Sequence, residues 1–289
     1  MLQATRSAMS ECSLADTHSP SRNASSPRSG FAVPTAFPQL GTGPSPNHLA
    51  PCPLVRKLGD FVLLNEDEIV AIAELSSAPI PYRSGQILVH EGDAADYIYM
   101  LTQGMGCRYK LLPSGERQIL GYIIPTDLCG IRLGALRRSD HSVALLSDSL
   151  LVKVPMWRML DLLRRFPKVE RALALSALLD VAILREWLLN IGQRNAYQKL
   201  CHFFCEMSVR LHSVGQVHDD GSFDMPINQS ALADTTGLTC VHVNRTLQRL
   251  RHEGLIALRH RRLTILDFDR LATNAGFDDD YLRSEACAA

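Results

Sequence analysis

The sequence predicts an α+β chain: an antiparallel β jelly roll, then a long helix, then two short helices backed by a β-hairpin. Three observations carry this. Between Gln86 and Val154 short apolar runs alternate with turn residues, the pattern of many short antiparallel strands. From Pro167 apolar residues recur at helical spacing over a long stretch. Between Pro226 and Ile256 two short helical patterns meet at Gly237.

At 289 residues the chain has room for two ordinary domains, and a hydrophobic content of 46% allows a substantial core. Residues 1–53, rich in Ser, Pro, Gly and Ala, show no periodicity. They bury too little to offset their ordering entropy and read as a disordered leader. The opening MLQATRSAMSECSLADTHSP lacks the apolar stretch of a secretion signal, and no apolar run is long enough to span a bilayer. The 8 cysteines are scattered rather than set out as a disulfide framework, so a reducing, cytoplasmic setting is expected.

The jelly roll is expected over 54–166. Asn65-Glu66-Asp67-Glu68 reads as a capping box, followed by Ile69, Ile72 and Leu75 on one helix face. Gln86–Val89 runs to the Glu91-Gly92-Asp93 turn, and Tyr97–Leu101 to Gly104. Cys107–Leu112 and Gln118–Ile124 flank Pro113-Ser114-Gly115 like a hairpin, and Val143–Leu146 and Leu150–Val154 close the run. Over 167–192, Val169, Ala172, Leu173, Leu178, Ile183, Trp187 and Leu188 cover more than one helix face, so this helix needs two partners. One face can pack on the roll. The other can pair with its copy in a second chain, or be buried within one chain. Residues 193–275 hold a helix over about Ala196–Leu211, the two short helices, and a hairpin of Ile256–Arg259 and Arg262–Leu266. Residues 276–289 read as a tail, fraying after Asp278.

In the two-helix segment Asn228 caps the first helix, and Ala231 and Leu232 lie on its inner face. Gly237 can take the left-handed conformation that closes the turn. Thr239 caps the second helix, Val243, Leu247 and Leu250 share its buried face, and Glu253-Gly254 stops it. The polar residues His242, Asn244 and Arg245 gather near its start. This is a helix-turn-helix pattern: an α-helix fits the major groove of B-DNA, and its N-terminal residues reach base edges. Arg245 can form a bidentate pair with guanine, Asn244 and His242 can donate or accept, and Val241 can contact only a thymine methyl. A plain helical hairpin in a core is the alternative, but it does not require that polar cluster. The net charge is +0, yet from Arg245 to Arg262 the chain carries Arg245, Arg249, Arg251, Arg259, Arg261 and Arg262 against Glu253 alone. Local clustering, not the sum, governs phosphate affinity.

The frame Leu232-Ala233-Asp234, Gly237-Leu238-Thr239, Val243, Arg245, Leu247, Leu250 and Gly254-Leu255-Ile256 resembles the winged helix-turn-helix of the Crp/Fnr family of bacterial transcription regulators. Gly85, Gly92-Asp93, Tyr99, Gly104, Gly115 and Asp127 resemble the turn framework of the same family's cyclic-nucleotide-binding-like sensor domain. The resemblance implies a sensor domain over 54–166, a dimerisation helix over 167–192 and a winged DNA-binding domain over 193–275. It implies a homodimer on a palindromic site in double-stranded DNA that recruits or obstructs RNA polymerase. Arg245 falls on the family's base-reading arginine, with Val241, His242 and Asn244 tuning neighbouring bases; Val241 stands where the family often has glutamate. Asn228, Gln229, Thr239, Gln248, Arg259 and Arg261 are expected to position phosphates. No Gly-rich phosphate loop, nucleophile elbow or HExxH pair points to an enzyme.

Relatives that bind a cyclic nucleotide use a Gly-Glu pair on the ribose and an Arg-Ser pair on the phosphate. Here Ile131 follows Gly130, and Arg138-Ser139 is followed by Asp140, whose charge opposes a phosphate. An iron–sulfur cluster needs gathered thiolates, but Cys12, Cys52, Cys107 and Cys129 are dispersed, and near Val152-Lys153, where oxygen-sensing relatives place a ligand, there is no cysteine. The expectation is a regulator with no cofactor or metal, not responsive to cyclic AMP. A cyclic-nucleotide-responsive regulator and a ligand sensor acting on a protein partner are the alternatives, and control through the chain's own transcription needs no ligand. Cys240, in the first turn of the second helix, is a candidate redox switch, because oxidation there would add bulk or charge at the DNA surface. Cys201, His202 and Cys205 lie beside Phe203 and Phe204 and read as core rather than a metal pair. His90, His141 and His242 form no cluster by spacing, which leaves haem ligation by one of them open.

Overall fold

The computed structural model describes residues 52–75, 78–94, 96–130 and 138–283. Two short helices come first, α1 (Pro53–Gly59) and α2 (Glu66–Leu75). The capping box at α2 closes in both directions: Asn65 N donates to Glu68 Oε2 at 2.8 Å, and Glu68 N to Asn65 Oδ1 at 2.9 Å. Eight strands follow: β1 (Ile80–Tyr82), β2 (Ile87–Val89), β3 (Tyr97–Gln103), β4 (Gly106–Leu111), β5 (Arg117–Ile123), β6 (Leu128–Cys129), β7 (Ser142–Leu145) and β8 (Ser149–Pro155). They make two antiparallel sheets, ordered β1-β8-β3-β6 and β2-β7-β4-β5. Every expected strand is present to within a residue or two. The additions, β1 and β6, are 3 and 2 residues long, too short to show a period.

Alternation along the strands sorts the apolar side chains into layers. Leu101, Ile123, Cys129, Val143, Leu145 and Leu151 meet between the sheets. From β3 and β8, Ile98, Met100, Val152 and Val154 point the other way, onto a helical layer. From β4 and β5, Cys107, Tyr109, Ile119 and Tyr122 join the C-terminal core. Both sheets are thus covered on their outer faces. The turn from β3 to β4 depends on Gly104: its φ is 99°, and a Cβ there would meet Ser149 Oγ at 2.3 Å and Asp148 O at 2.8 Å.

After the roll come α3 (Met156–Arg165), which the sequence reading did not separate, and α4 (Pro167–Gln193), opened by a proline at its first position. Along the 27 residues of α4 the N-terminal half buries Val169, Ala172 and Leu173 in the helical layer, and the C-terminal half buries Ile183 and Trp187 in the C-terminal core. Leu178, Val181, Leu184, Leu188 and Ile191, at steps of three and four, stay exposed. No described helix is long and apolar enough to cross a membrane.

The C-terminal half contains α5 (Ala196–Ser213), β9 (Ser222–Asp224), α6 (Gln229–Thr236), α7 (Cys240–His252), β10 (Ile256–Arg259), β11 (Arg262–Ile265), α8 (Phe268–Ala275) and a single 3-10 turn, Asp280–Leu282. The expected hairpin gains a third strand, in the order β10-β11-β9. Two expectations at the ends need correction. The tail expected from 276 is docked through Leu282: the Tyr281 hydroxyl donates to Glu206 Oε2 at 2.9 Å, and its ring stacks 6.2 Å from that of His202. Residues 284–289 lie outside the described chain. So does the leader, apart from Cys52 and Pro53, and Pro53 already begins α1.

Gly104→Ala should cost about 3 kcal/mol, the left-handed backbone penalty plus overpacking. Gly115→Ala, where φ is 91° and nothing lies within 4 Å, should cost only about 1 kcal/mol. Denaturant unfolding of both variants checks this, and equal losses would contradict the close approach at Gly104.

Candidate nucleic-acid interface

The segment from Asn228 to Glu253 forms two helices because each end is chemically closed. Asn228 Oδ1 accepts from Ala231 N at 2.8 Å, capping α6. Gly237 ends α6 with φ 65°, and its N–H returns to Ala233 O. Thr239 Oγ1 accepts from His242 N at 3.3 Å, capping α7. Val243, Leu247 and Leu250 are fully buried against α5 and α6. At 3.6 residues per turn, Val241, Asn244, Arg245 and Gln248 then fall on the opposite side, with His242 flanking. All five are exposed, Val241 to 67%. Asn228, Gln229, Thr239 and Cys240 are also exposed around the turn. The structure therefore brings the predicted base-reading residues onto one free helix face.

Behind α7, the β10–β11 hairpin turns through His260 and Arg261 alone, with φ 48° and 62°. Two left-handed residues make the two-residue turn that matches strand twist, a position usually given to Asn or Gly. The Arg261 carbonyl accepts from Met225 N at 2.7 Å, which ties the tip to the chain leading into α6. The arginine cluster is smaller than its sequence count. Arg249 Nε donates to Glu253 Oε1 at 2.7 Å, and its guanidinium lies 4.1 Å from the Tyr197 ring centre. Arg262 Nε lies 3.4 Å from Asp224 Oδ1. Among the described residues Arg245, Arg251, Arg259 and Arg261 have no carboxylate partner, and these are the cations left for phosphates or bases.

Two family models match the chain: a Crp-like helix-turn-helix domain over residues 198–273, and a cyclic nucleotide-binding domain over 79–166. The transcriptional activator protein FnrL of Cereibacter sphaeroides is 28% identical over 202 residues, covering 69% of this chain and 81% of that protein. The nitrogen fixation regulation protein FixK of Bradyrhizobium diazoefficiens is 28% identical over 189 residues, 65% of this chain and 78% of that one. Among solved structures, FixK2 from Bradyrhizobium japonicum superposes with a TM-score of 0.63 at 22% identity, covering 69% of this chain and 98% of that one. The chain belongs to the Crp/Fnr family. Its members are transcription regulators rather than enzymes, and α6 and α7 are the DNA-binding motif of this Crp/Fnr regulator.

An open cavity of about 270 Å³ lies between β5, β6, α4 and α5, lined by Lys57, Arg108, Asp180 and Arg210 among others. Arg138, the residue that the family resemblance puts on a nucleotide phosphate, is exposed and donates from Nη1 to Gly92 O at 2.8 Å. Ser139 Oγ donates to His141 O at 2.7 Å, and Asp140 pairs with His141 at 2.9 Å. Ile131 lies outside the described residues. Cys201, His202 and Cys205 are fully buried core, and burial pushes the Cys201 thiol up to about 12. Burial, reinforced by Arg194, holds His202 down at about 3.

Sequence reasoning missed a buried charge chain joining the two halves. Lys57 Nζ lies 2.7 Å from Asp127 Oδ1, and Arg210 Nη2 3.2 Å from Asp127 Oδ2. Arg210 Nη1 lies 3.4 Å from Glu206 Oε1, and the Trp187 indole N–H is 3.0 Å from both Glu206 oxygens. One signal for it was present: Glu206 and Arg210 stand four apart in a helix that is otherwise apolar around Phe203 and Phe204. Burial alone would raise the Asp127 carboxyl, but Lys57, Arg210 and Arg108 outweigh it and pull Asp127 down to about 2. A depressed carboxyl stabilises the fold above its unfolded value of 3.8, and that contribution is lost as pH falls toward 2. The stability gap between wild type and Asp127→Asn should therefore shrink by about 2 kcal/mol as pH drops from about 5 to about 2. Urea unfolding across that range checks it, and a gap independent of pH would contradict the assignment.

Proposed function

We propose that two chains pair along α4 and bind a palindromic promoter site, with Arg245 of each chain reading a guanine in the major groove. The observation that carries this is the free stripe of Val241, Asn244, Arg245 and Gln248, set opposite the buried face of α7 and uncommitted to any carboxylate. Val241, His242 and Asn244 tune the neighbouring bases. Gln248, Gln229 and the capping residues Asn228 and Thr239 position phosphates: each cap oxygen accepts from its own helix, while the Asn228 amide and the Thr239 hydroxyl still have protons to donate. Arg259 and Arg261 add phosphate contacts from the wing.

Pairing along α4 is supported by the exposed stripe of Leu178, Val181, Leu184, Leu188 and Ile191, with Leu188 at 73% exposure. Steps of three and four on one helix suit a two-stranded seam, and a two-fold seam suits a two-fold DNA site. The regulator works in the cytoplasm, and the naming of FnrL as a transcriptional activator favours recruitment of RNA polymerase over its obstruction.

The chain does this without a cyclic nucleotide or an iron–sulfur cluster. Asp140, beside Arg138-Ser139, opposes a phosphate, and Cys107 and Cys129 sit on different sheets, where burial pushes their thiols up to about 11 and about 12. Cys240, exposed in the first turn of α7, is the position at which oxidation would reach the DNA surface.

Arg245→Ala should cost about 1–3 kcal/mol on the selected site and relax preference at one base pair, leaving non-specific binding nearly unchanged. Titration against cognate and scrambled duplexes measures it, and equal losses on both would contradict base reading. In the same titration, peroxide should weaken the wild type and spare Cys240→Ser; unchanged wild-type affinity would remove the switch.

A further inference from the structure

The covalent joint between α4 and the DNA-binding half is short: Arg194 and Asn195 alone separate the two helices, both in extended conformation with ψ 144° and 169°. So short a joint leaves the angle of the DNA-binding half to noncovalent contacts. The Arg210–Asp127 pair, near the far end of α5, is one anchor. The core that Ile183 and Trp187 of α4 share with α5 holds the near end of α5. A further contact lies on β5, the edge strand of its sheet, where α6 is laid against it.

Three side chains of β5 hold the last turn of α6. Arg117 Nε and Nη2 both lie 2.8 Å from Asp234 Oδ2, a pair only partly open to water. Gln118 Nε2 donates to Thr235 O at 3.4 Å. The Tyr122 oxygen is 2.7 Å from Thr235 Oγ1, and the Thr235 hydroxyl already donates to Ala231 O at 2.7 Å, so Tyr122 is the donor. Tyr122 is completely buried, its ring packed 5.4 Å from Phe203 and 5.9 Å from Trp187. None of these groups belongs to the exposed stripe of α7.

We propose that this β5–α6 contact is a positioning clamp. It sets the angle of α7 to the α4 stripe, and so the half-site separation that a dimer accepts, without a ligand. The proposal rests on the dimeric, palindrome-reading function above. It differs from a merely structural role in what it controls: spacing, not base preference or affinity for one half-site.

The test compares R117D, D234R and the charge-swapped double variant on three duplexes: the selected palindrome, the same palindrome with one base pair added between its halves, and a single half-site. Each single variant should lose about tenfold on the palindrome while half-site binding stays within about twofold, because only the two-point engagement depends on geometry. The wild-type preference for the original spacing should vanish in the single variants and return in the double variant. Tyr122→Phe, which keeps the ring packing and removes only the hydroxyl, should blunt the same spacing preference. Palindrome and half-site affinities falling together, an unchanged spacing preference, or a double variant no better than the singles would overturn the clamp. A wild-type chain that sediments as a monomer and binds palindrome and half-site equally overturns the dimer reading, and the clamp with it.

Discussion

The rest of the molecule depends on the burial of α5. Its apolar residues Leu200, Phe203, Phe204 and Met207 are fully or almost fully removed from water, and among them sit Glu206 and Arg210. A charge in that position is tolerable only if its partners are complete, because the loss of one partner leaves the other desolvated and alone. Here the partners come from α1 (Lys57), the turn before β6 (Asp127), α4 (Trp187) and the last turn of the chain (Tyr281). Hydrophobic burial draws these elements together without direction; the charge chain adds directional contacts among them.

That arrangement explains why the DNA-facing side is simple. With α5 buried along most of its length and α6 laid on the β5 edge, one face of α7 stays exposed, as does the wing tip. The arginines counted from Arg245 to Arg262 fall into two groups. Arg249 and Arg262 pair with Glu253 and Asp224 at the surface; Arg245, Arg251, Arg259 and Arg261 have no carboxylate partner among the described residues. Phosphate affinity depends on local clustering of free cations rather than on the sum over the chain, so zero net charge does not oppose a DNA-binding surface.

The helix-turn-helix was legible in the sequence because its determinants are local. Asn228, Gly237 and Thr239 each act on backbone within a few residues of themselves, and the spacing of Val243, Leu247 and Leu250 alone assigns the buried face. The same holds for the capping box at Asn65 and the longer strands. What escaped is non-local. β1 is defined by its pairing with β8, about seventy residues away in the chain, and the Arg117–Asp234 pair spans a separation of 117. No window of sequence holds both members of such pairs. Arg262 was counted as a free cation for the same reason, since its partner Asp224 sits across a strand ladder. The docking of Tyr281 was hidden by acidic neighbours, Asp278 to Asp280, that resemble a solvated end.

Enrichment of bound duplexes from a random pool, with the stoichiometry of the winning complex, tests the proposal that a pair of α7 helices reads DNA across a two-fold axis. The expected winner is an inverted repeat whose half-sites lie about one helical turn apart, bound by two chains. A pool that yields no sequence, or a lone half-site bound by one chain, would contradict it.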